Sequence, residues 1–279
     1  MSPRIDTHHH FWQTARQEQP WRSPTHTALA ADFEPADLAP LLKATGVDAT
    51  VLVESVDSPE ENGRLAEYAA ALPQVAGVVG WLPLADPATA RAELARADRA
   101  RWCGVRCLVG REPLAWLDTG LMAELATADL AWDVVAVTDA QVEAVVALAR
   151  RVPELRIVVD HLARPPLETG ELDGWAARLA ALAACPNVAL KVSIGIDLLT
   201  SWPRWDAAAL APVVAHAVAA FGPDRLMLAS NWPVVTLRAD YATALRDLDA
   251  AVVATGVDEA GLADVRGGTA VRWYRLPRP

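Results

Sequence analysis

Eight short runs of β-branched and other apolar residues, separated by longer alanine-rich amphipathic segments, place the tightest limit on how this chain can fold. The runs are Arg4 to His8, Ala49 to Glu54, Val75 to Trp81, Gly104 to Leu108, Ala131 to Val135, Arg156 to Asp160, Val188 to Val192 and Arg225 to Ala229. Strands that are apolar throughout belong to a sheet covered on both faces, and strand–helix alternation makes each connection a crossover between parallel strands. The intervening segments carry helix punctuation. Pro35-Ala-Asp-Leu puts a proline in a first turn and Gly46 closes the same helix, while Pro59-Glu-Glu, Asp86-Pro-Ala, Asp139 and Asp206 mark other openings. No Gly/Ser-rich linker divides the chain. Eight such units close most naturally into an α/β fold of the (β/α)8 TIM-barrel class, and 279 residues suit one domain, 1–279. A doubly wound open sheet would want a glycine-rich phosphate turn after its first strand, where this chain has His8-His9-His10.

Composition narrows the function. With 53% hydrophobic and 22% charged residues the chain can bury a large core without staples. A formal charge of -10 and the lack of any Lys/Arg run exclude a nucleic-acid partner. The longest apolar stretches, such as Ala207 to Phe221, are interrupted by Pro212 and His216 and fall short of the ~20 residues needed to span a bilayer, so no membrane partner is expected. The opening residues lack the apolar centre of a signal peptide, which points to the cytoplasm. Cys103, Cys107 and Cys185 are too scattered for a disulfide framework or a structural zinc site and read as small buried residues. A small-molecule substrate remains as the partner, and a monomer or homodimer is expected.

Asp6-Thr7-His8-His9-His10-Phe11-Trp12 is the segment richest in chemistry. In an extended strand, residues two apart project to one side, so His8 and His10 can share a metal ion while His9 points away. Imidazole pairs suit zinc, and the carboxyl ends of parallel-barrel strands are where catalytic residues gather. Of the eleven tryptophans, Trp12, Trp21, Trp81, Trp202, Trp205 and Trp232 fall near strand ends or loops, where they either line a pocket or fill the core.

The Asp-x-His-x-His-x-Trp opening is followed by Pro20-Trp21, Asp32-Phe33-Glu34-Pro35-Ala36-Asp37-Leu38, Thr50-Val51-Leu52-Val53 and Gly104-Val105-Arg106. Then come Asp160-His161-Leu162-Ala163-Arg164-Pro165, Asn187-Val188 with Lys191 and Ser193, and Phe221-Gly222-Pro223-Asp224-Arg225-Leu226-Met227. In this order and spacing, nearly end to end, the chain resembles the lactonase branch of the amidohydrolase superfamily, the group similar to fuconolactonases and dicarboxylate lactonases. The resemblance implies a barrel with one divalent-metal site, zinc by preference, weakly held or dispensable in some members. His8, His10 and His161 match its ligands. Arg106 matches a residue that holds a substrate carboxylate or polarises a carbonyl, a role that suits a planar, permanently charged guanidinium. Trp12, Trp81, Trp232 and Lys191 join Arg106 as candidate substrate-binding residues. Gly267 to Tyr274 resembles the family's closing helix, packed against the outside of the barrel.

One departure stands out. The branch usually ends its eighth strand with Gly-Ser-Asp-Trp-Pro, the aspartate serving as general base; here the segment is Ala229-Ser230-Asn231-Trp232-Pro233. An amide has no proton-accepting state near neutral pH, so Asn231 can orient water or donate a hydrogen bond but not act as that base. It would also leave a metal among neutral ligands and weaken its retention. The second strand ends in Glu54, where the branch commonly carries glutamine. Either Glu54 replaces the missing base or neutralises the metal, with Asp160 as a second candidate, or it pairs with Arg106 or another cation. The leading expectation is attack of an activated water on the lactone of a sugar acid or small carboxylate, with Arg106, His161, Glu54 and Asn231 catalytic. A decarboxylase or other non-hydrolytic lyase or isomerase, and a catalytically impaired binding barrel, are the alternatives. Trp12 to Asp32, Arg164 to Gly174 and Gly195 to Trp205 should form the rim, and Arg16, Arg22 and Arg204 there suggest a flat or acidic ligand.

Overall fold

In a computed structural model of the protein, β1 (Ile5–His9), β2 (Ala49–Val53), β3 (Val75–Trp81), β4 (Trp102–Arg106), β5 (Ala131–Val134), β6 (Ile157–Val159), β7 (Val188–Val192) and β8 (Leu226–Leu228) form one sheet in sequence order. Every neighbouring pair is parallel. The structure describes residues 3–118 and 120–277, so Met1 and Ser2 of the amino-terminal stretch read above lie outside the described residues. The fold is the eight-stranded barrel expected from the alternation. β4 begins two residues earlier than its sequence reading, because Trp102 pairs with Val78 of β3.

β1 and β8 meet through specific polar contacts. The Asn231 amide donates to the His8 carbonyl at 2.8 Å, the His10 amide to the Trp232 carbonyl at 2.8 Å, and the Thr7 hydroxyl to the Leu228 carbonyl at 2.9 Å. Asp6 reinforces the seam: its carboxylate accepts from the Ser230 amide at 2.8 Å, the Ser230 hydroxyl at 2.6 Å and the Tyr241 hydroxyl at 3.1 Å.

Alternation along the strands separates two apolar clusters. Val51, Val53, Val158, Ala189 and Met227 share a small cluster with Ile5, Cys103 and Ala131, which faces the barrel axis. Their neighbours Leu52, Val159, Leu190 and Leu228 share the larger cluster with the surrounding helices. The carboxyl-terminal segment belongs to the inner set. Ala270, Tyr274 and Leu276 pack with the axial residues, and the Tyr274 hydroxyl donates to Asp133 Oδ2 at 2.6 Å. This corrects the expectation of a helix lying on the barrel's outside: the closing segment plugs the barrel at the amino-terminal ends of its strands. Gly77 makes room for it, since a Cβ there would stand 2.6 Å from the Leu276 side chain.

Helix punctuation follows the sequence closely. The helix Pro35–Thr45 ends at Gly46 in the left-handed region, φ 65°, and Asp86 and Asp206 cap the helices Pro87–Arg96 and Ala207–Phe221. The helix Asp139–Arg151 is capped one residue earlier than expected. The Thr138 hydroxyl accepts from the Gln141 backbone N–H, and Gln141 Oε1 accepts from the Thr138 backbone N–H, a reciprocal box that Asp139 cannot form.

Candidate active site

β1 delivers the histidines as its alternation requires. His9 turns outward, with Nε2 2.9 Å from the Thr50 hydroxyl. His8 and His10 turn to one another, their Nε2 atoms 3.1 Å apart. His10 Nδ1 lies 2.8 Å from the Val53 carbonyl, which can only accept, so the proton sits on Nδ1 and Nε2 offers a lone pair. His8 Nδ1 stands 3.2 Å from Asp160 Oδ1 and also 3.2 Å from Lys191 Nζ. When His8 donates to the carboxylate, two Nε2 lone pairs face across a gap of metal-bridging width. A carboxylate or carbonyl steadying the far nitrogen of each ring is the usual outer support of metal-binding imidazoles.

The third imidazole arrives by an unusual backbone. His161, Leu162, Ala163 and Arg164 all have positive φ, between 51° and 56°, a left-handed turn that is strained for side-chain-bearing residues. Two contacts hold it: Trp175 Nε1 donates to the Leu162 carbonyl at 2.7 Å, and the Arg164 amide to the His161 carbonyl at 2.9 Å. The turn sets the His161 ring 4.6 Å from that of His8, with Nδ1 2.8 Å from the Ser193 hydroxyl. Gly195 admits the ring, since a Cβ there would approach it to 3.2 Å. His8, Asp160 and His161 bring one donor atom each to within 4.8 Å of one another, so the residues present fit a divalent cation. Burial holds all three imidazoles neutral, as ligands must be; the His161 pKa falls to about 4.

Beneath the imidazoles lies a buried layer of charge. Arg106 Nε donates to Glu54 Oε1 at 2.6 Å, Nη2 to the Glu54 carbonyl, and Nη1 to Asp160 Oδ2 at 3.2 Å while standing 3.4 Å from His8 Nε2. Lys191 Nζ meets Asp133 at 2.6 Å and Asp160 at 3.1 Å. Burial opposes both cations, yet Glu54 and Asp160 keep Arg106 charged and Asp133 and Asp160 keep Lys191 charged. Burial likewise opposes the Asp160 carboxylate, but Lys191 and then His8 hold it well below the usual range. Burial pushes Glu54 up to about 7 in spite of Arg106.

A cavity of about 230 Å³ opens at the carboxyl ends of the strands. His10, Arg106, His161 and Asn231 line it, with Trp21, Leu108, Val135, Val137, Ile196 and Val234 forming apolar wall. Four of the expected site residues therefore converge. Glu54 is not part of this wall and is engaged by Arg106, the pairing alternative of the two considered. Lys191 lies under the cavity in the charged layer, without a place in its wall. Trp12, Trp81 and Trp232 are buried and do not line it. Trp12 donates to the Ala31 carbonyl and packs edge-on against Trp21 and Phe33, while Trp232 packs against Phe11 and Phe33. Nor do Arg16, Arg22 or Arg204 reach the wall: Arg16 pairs with Glu67 and Arg22 donates to the Leu29 carbonyl. Asn231 stands at φ 56°, a region asparagine tolerates, and its Nδ2 donates to the Ile194 carbonyl at 2.8 Å.

Asp133, Tyr274 and Asp197 were missed by sequence reasoning. A polar Asp133 amid the apolar run of β5 was a visible signal, since a carboxylate inside a covered strand needs a partner. Nothing local marked Tyr274 or Asp197.

Known proteins resemble the chain throughout. A family model described as amidohydrolase matches residues 5–276. The chain is 37% identical over 292 residues to an L-fucono-1,5-lactonase of Burkholderia ambifaria, across 100% of this chain and 98% of that protein. An L-fucono-1,5-lactonase of Burkholderia multivorans is 32% identical, across 99% of this chain and 97% of that protein. Among solved structures, an amidohydrolase from Burkholderia multivorans with bound zinc matches with a TM-score of 0.87 at 32% identity, covering 99% of this chain and 100% of that one.

Proposed function

The chain belongs to the amidohydrolase family, and from that premise we propose that it hydrolyses a 1,5-lactone of a sugar acid, L-fuconate or a close relative, to the open hydroxy acid. The observation that carries this reading is the convergence of His10, Arg106, His161 and Asn231 on one small-molecule cavity in a chain similar along its whole length to two lactonases. The decarboxylase and binder alternatives are not favoured by those relatives.

Each role follows from what a side chain has left to offer. A guanidinium carries five N–H groups, and the Glu54, Asp160 and His8 contacts leave one on Nη2 for the lactone carbonyl oxygen. That donor is fixed before the reaction begins, so it stabilises the developing oxyanion without reorganising. Asn231 gives one of its two Nδ2 N–H groups to Ile194, an orientation that leaves Oδ1 to accept from the attacking water. His161, tethered through Nδ1 to Ser193, presents Nε2 as the proton acceptor. Water oxygen bonds to the carbonyl carbon, the ring C–O bond breaks, and the proton held by His161 passes to the departing ring oxygen. His8, His10 and His161 would hold zinc, which would supply Lewis-acid polarisation of the carbonyl; with it bound, the His161 Nε2 lone pair would serve the metal and not the proton. Among the described residues no helix is long and apolar enough to cross a membrane, and the three cysteines are unpaired, which suits our placing of the enzyme in the cytoplasm.

The test is acid release from L-fucono-1,5-lactone above its spontaneous rate, with protein as purified, after chelation and after zinc addition. Enzyme-proportional acid release is expected, abolished in Arg106→Met. No acid release from any aldonolactone under all three conditions would refute the reading.

A further inference from the structure

We propose that Arg164 and Asp197 recognise the substrate's hydroxyl groups, as a paired donor and acceptor in the cavity wall; this rests on the lactonase reading above. A sugar lactone differs from a plain cyclic ester by its ring hydroxyls, and each needs a polar partner once it leaves water. The cavity offers few. His10, Arg106, His161 and Asn231 face the reacting carbonyl in the reading above. Ser55 also lines the wall but has no capacity left. Its hydroxyl donates to Glu61 Oε1 at 3.1 Å and accepts from Gln17 Nε2 at 2.9 Å and Gln19 Nε2 at 3.1 Å.

Arg164 and Asp197 are the remaining charged groups of the wall. Arg164 Nη2 reaches outward to Glu168 Oε1 at 2.8 Å. Its Nε is buried, yet it has no hydrogen-bond partner among the described residues. Asp197 Oδ2 stands 3.8 Å from that Nε, close enough for charge attraction and too far for a hydrogen bond. A hydroxyl oxygen can accept from a guanidinium N–H that Glu168 leaves free, on Nη1 or Nη2, and donate to the half-exposed Asp197 carboxylate. Both residues are placed by features already described: Arg164 is the last residue of the left-handed turn that carries His161, and Asp197 follows Gly195, which admits the His161 ring. Hydroxyl recognition is thereby tied to the backbone that positions the proton acceptor.

The experiment measures kcat and KM for Asp197→Ala, Arg164→Met and Arg164→Lys on L-fucono-1,5-lactone and on unsubstituted δ-valerolactone. Asp197 is half-exposed, so its alanine variant leaves the core intact, and thermal midpoints check folding of all three. With the sugar lactone, KM should rise roughly tenfold or more in Asp197→Ala and Arg164→Met, more than kcat falls. The preference for the sugar lactone over δ-valerolactone should fall by a similar factor, and Arg164→Lys should retain part of it. The proposal is overturned by an unchanged KM, by a loss confined to kcat, or by a wild-type enzyme that hydrolyses simple lactones but not hydroxylated ones. A wild-type enzyme inactive on every lactone would instead remove the lactonase reading, and this inference with it.

Discussion

Asn231 shows how one atom's exchange alters a site. Where the resembled family carries a carboxylate, this chain has an amide that commits one of its two Nδ2 N–H groups to the Ile194 carbonyl. Replacing it by Asn231→Asp would set a carboxylate oxygen against that carbonyl and remove the donor, costing about 1–3 kcal/mol in the metal-free protein. The same change adds an anionic oxygen near His8, His10 and His161, so zinc should stabilise the variant more than the wild type. Thermal unfolding in chelator and in excess zinc checks both halves; a variant with wild-type midpoints in each condition would contradict them. The pairing of His8 with His10 was legible because a two-residue spacing fixes the side of a strand. The pairing of Glu54 with Arg106 was legible only as one of two alternatives, because Arg106 lies on a different strand and its reach depends on register.

At the scale of elements, the carboxyl-terminal plug is the feature most at odds with expectation. Its Tyr274 hydroxyl reaches Asp133, which in turn holds Lys191, so the plug is tied to the charged layer under the cavity. Tyr274→Phe keeps the ring's packing and removes that donor from a buried carboxylate that already has one oxygen unpartnered. We expect a loss of about 1–3 kcal/mol in urea unfolding, with the barrel's circular dichroism unchanged. A variant as stable as the wild type would mean that the contact contributes nothing. Helix caps were readable because they are local: Pro35, Gly46, Asp86 and Asp206 act within a turn of their own positions. The left-handed turn at His161–Arg164 was not, since its strain is tolerated only through Trp175 and the strands beside it.

The whole molecule stores a pH dependence in its buried groups. Burial lowers His9 to about 3 and His161 to about 4, against an ordinary 6.5, and lowers His8 and His10 as well. Between those folded values and 6.5 the unfolded chain binds more protons, so stability is full above about 6.5 and is lost as pH falls through the window. Each histidine contributes a slope of up to ~1.4 kcal/mol per pH unit. Glu54, raised from 4.5 to about 7, works the other way: the folded state holds its proton between those values, and stability is lost as pH rises through them. Burial raises Asp6, Asp57, Glu61 and Asp133 in the same sense from ordinary values of 3.8 to 4.5, so the histidines govern the profile nearer their own ordinary 6.5. Urea midpoints should therefore decline as pH falls from 6.5 to 5; a flat profile over that range would contradict this. By itself the sequence determined the barrel, the helix caps at Gly46, Asp86 and Asp206 and the side of β1 that His8 and His10 share, because strand alternation and capping are set by residues a few positions apart. Only the tertiary structure decided that Glu54 serves Arg106, that Trp12, Trp81 and Trp232 stay clear of the cavity wall, and that Tyr274 enters the barrel. Those outcomes depend on which strand ends meet around a closed ring, a property that no segment holds alone.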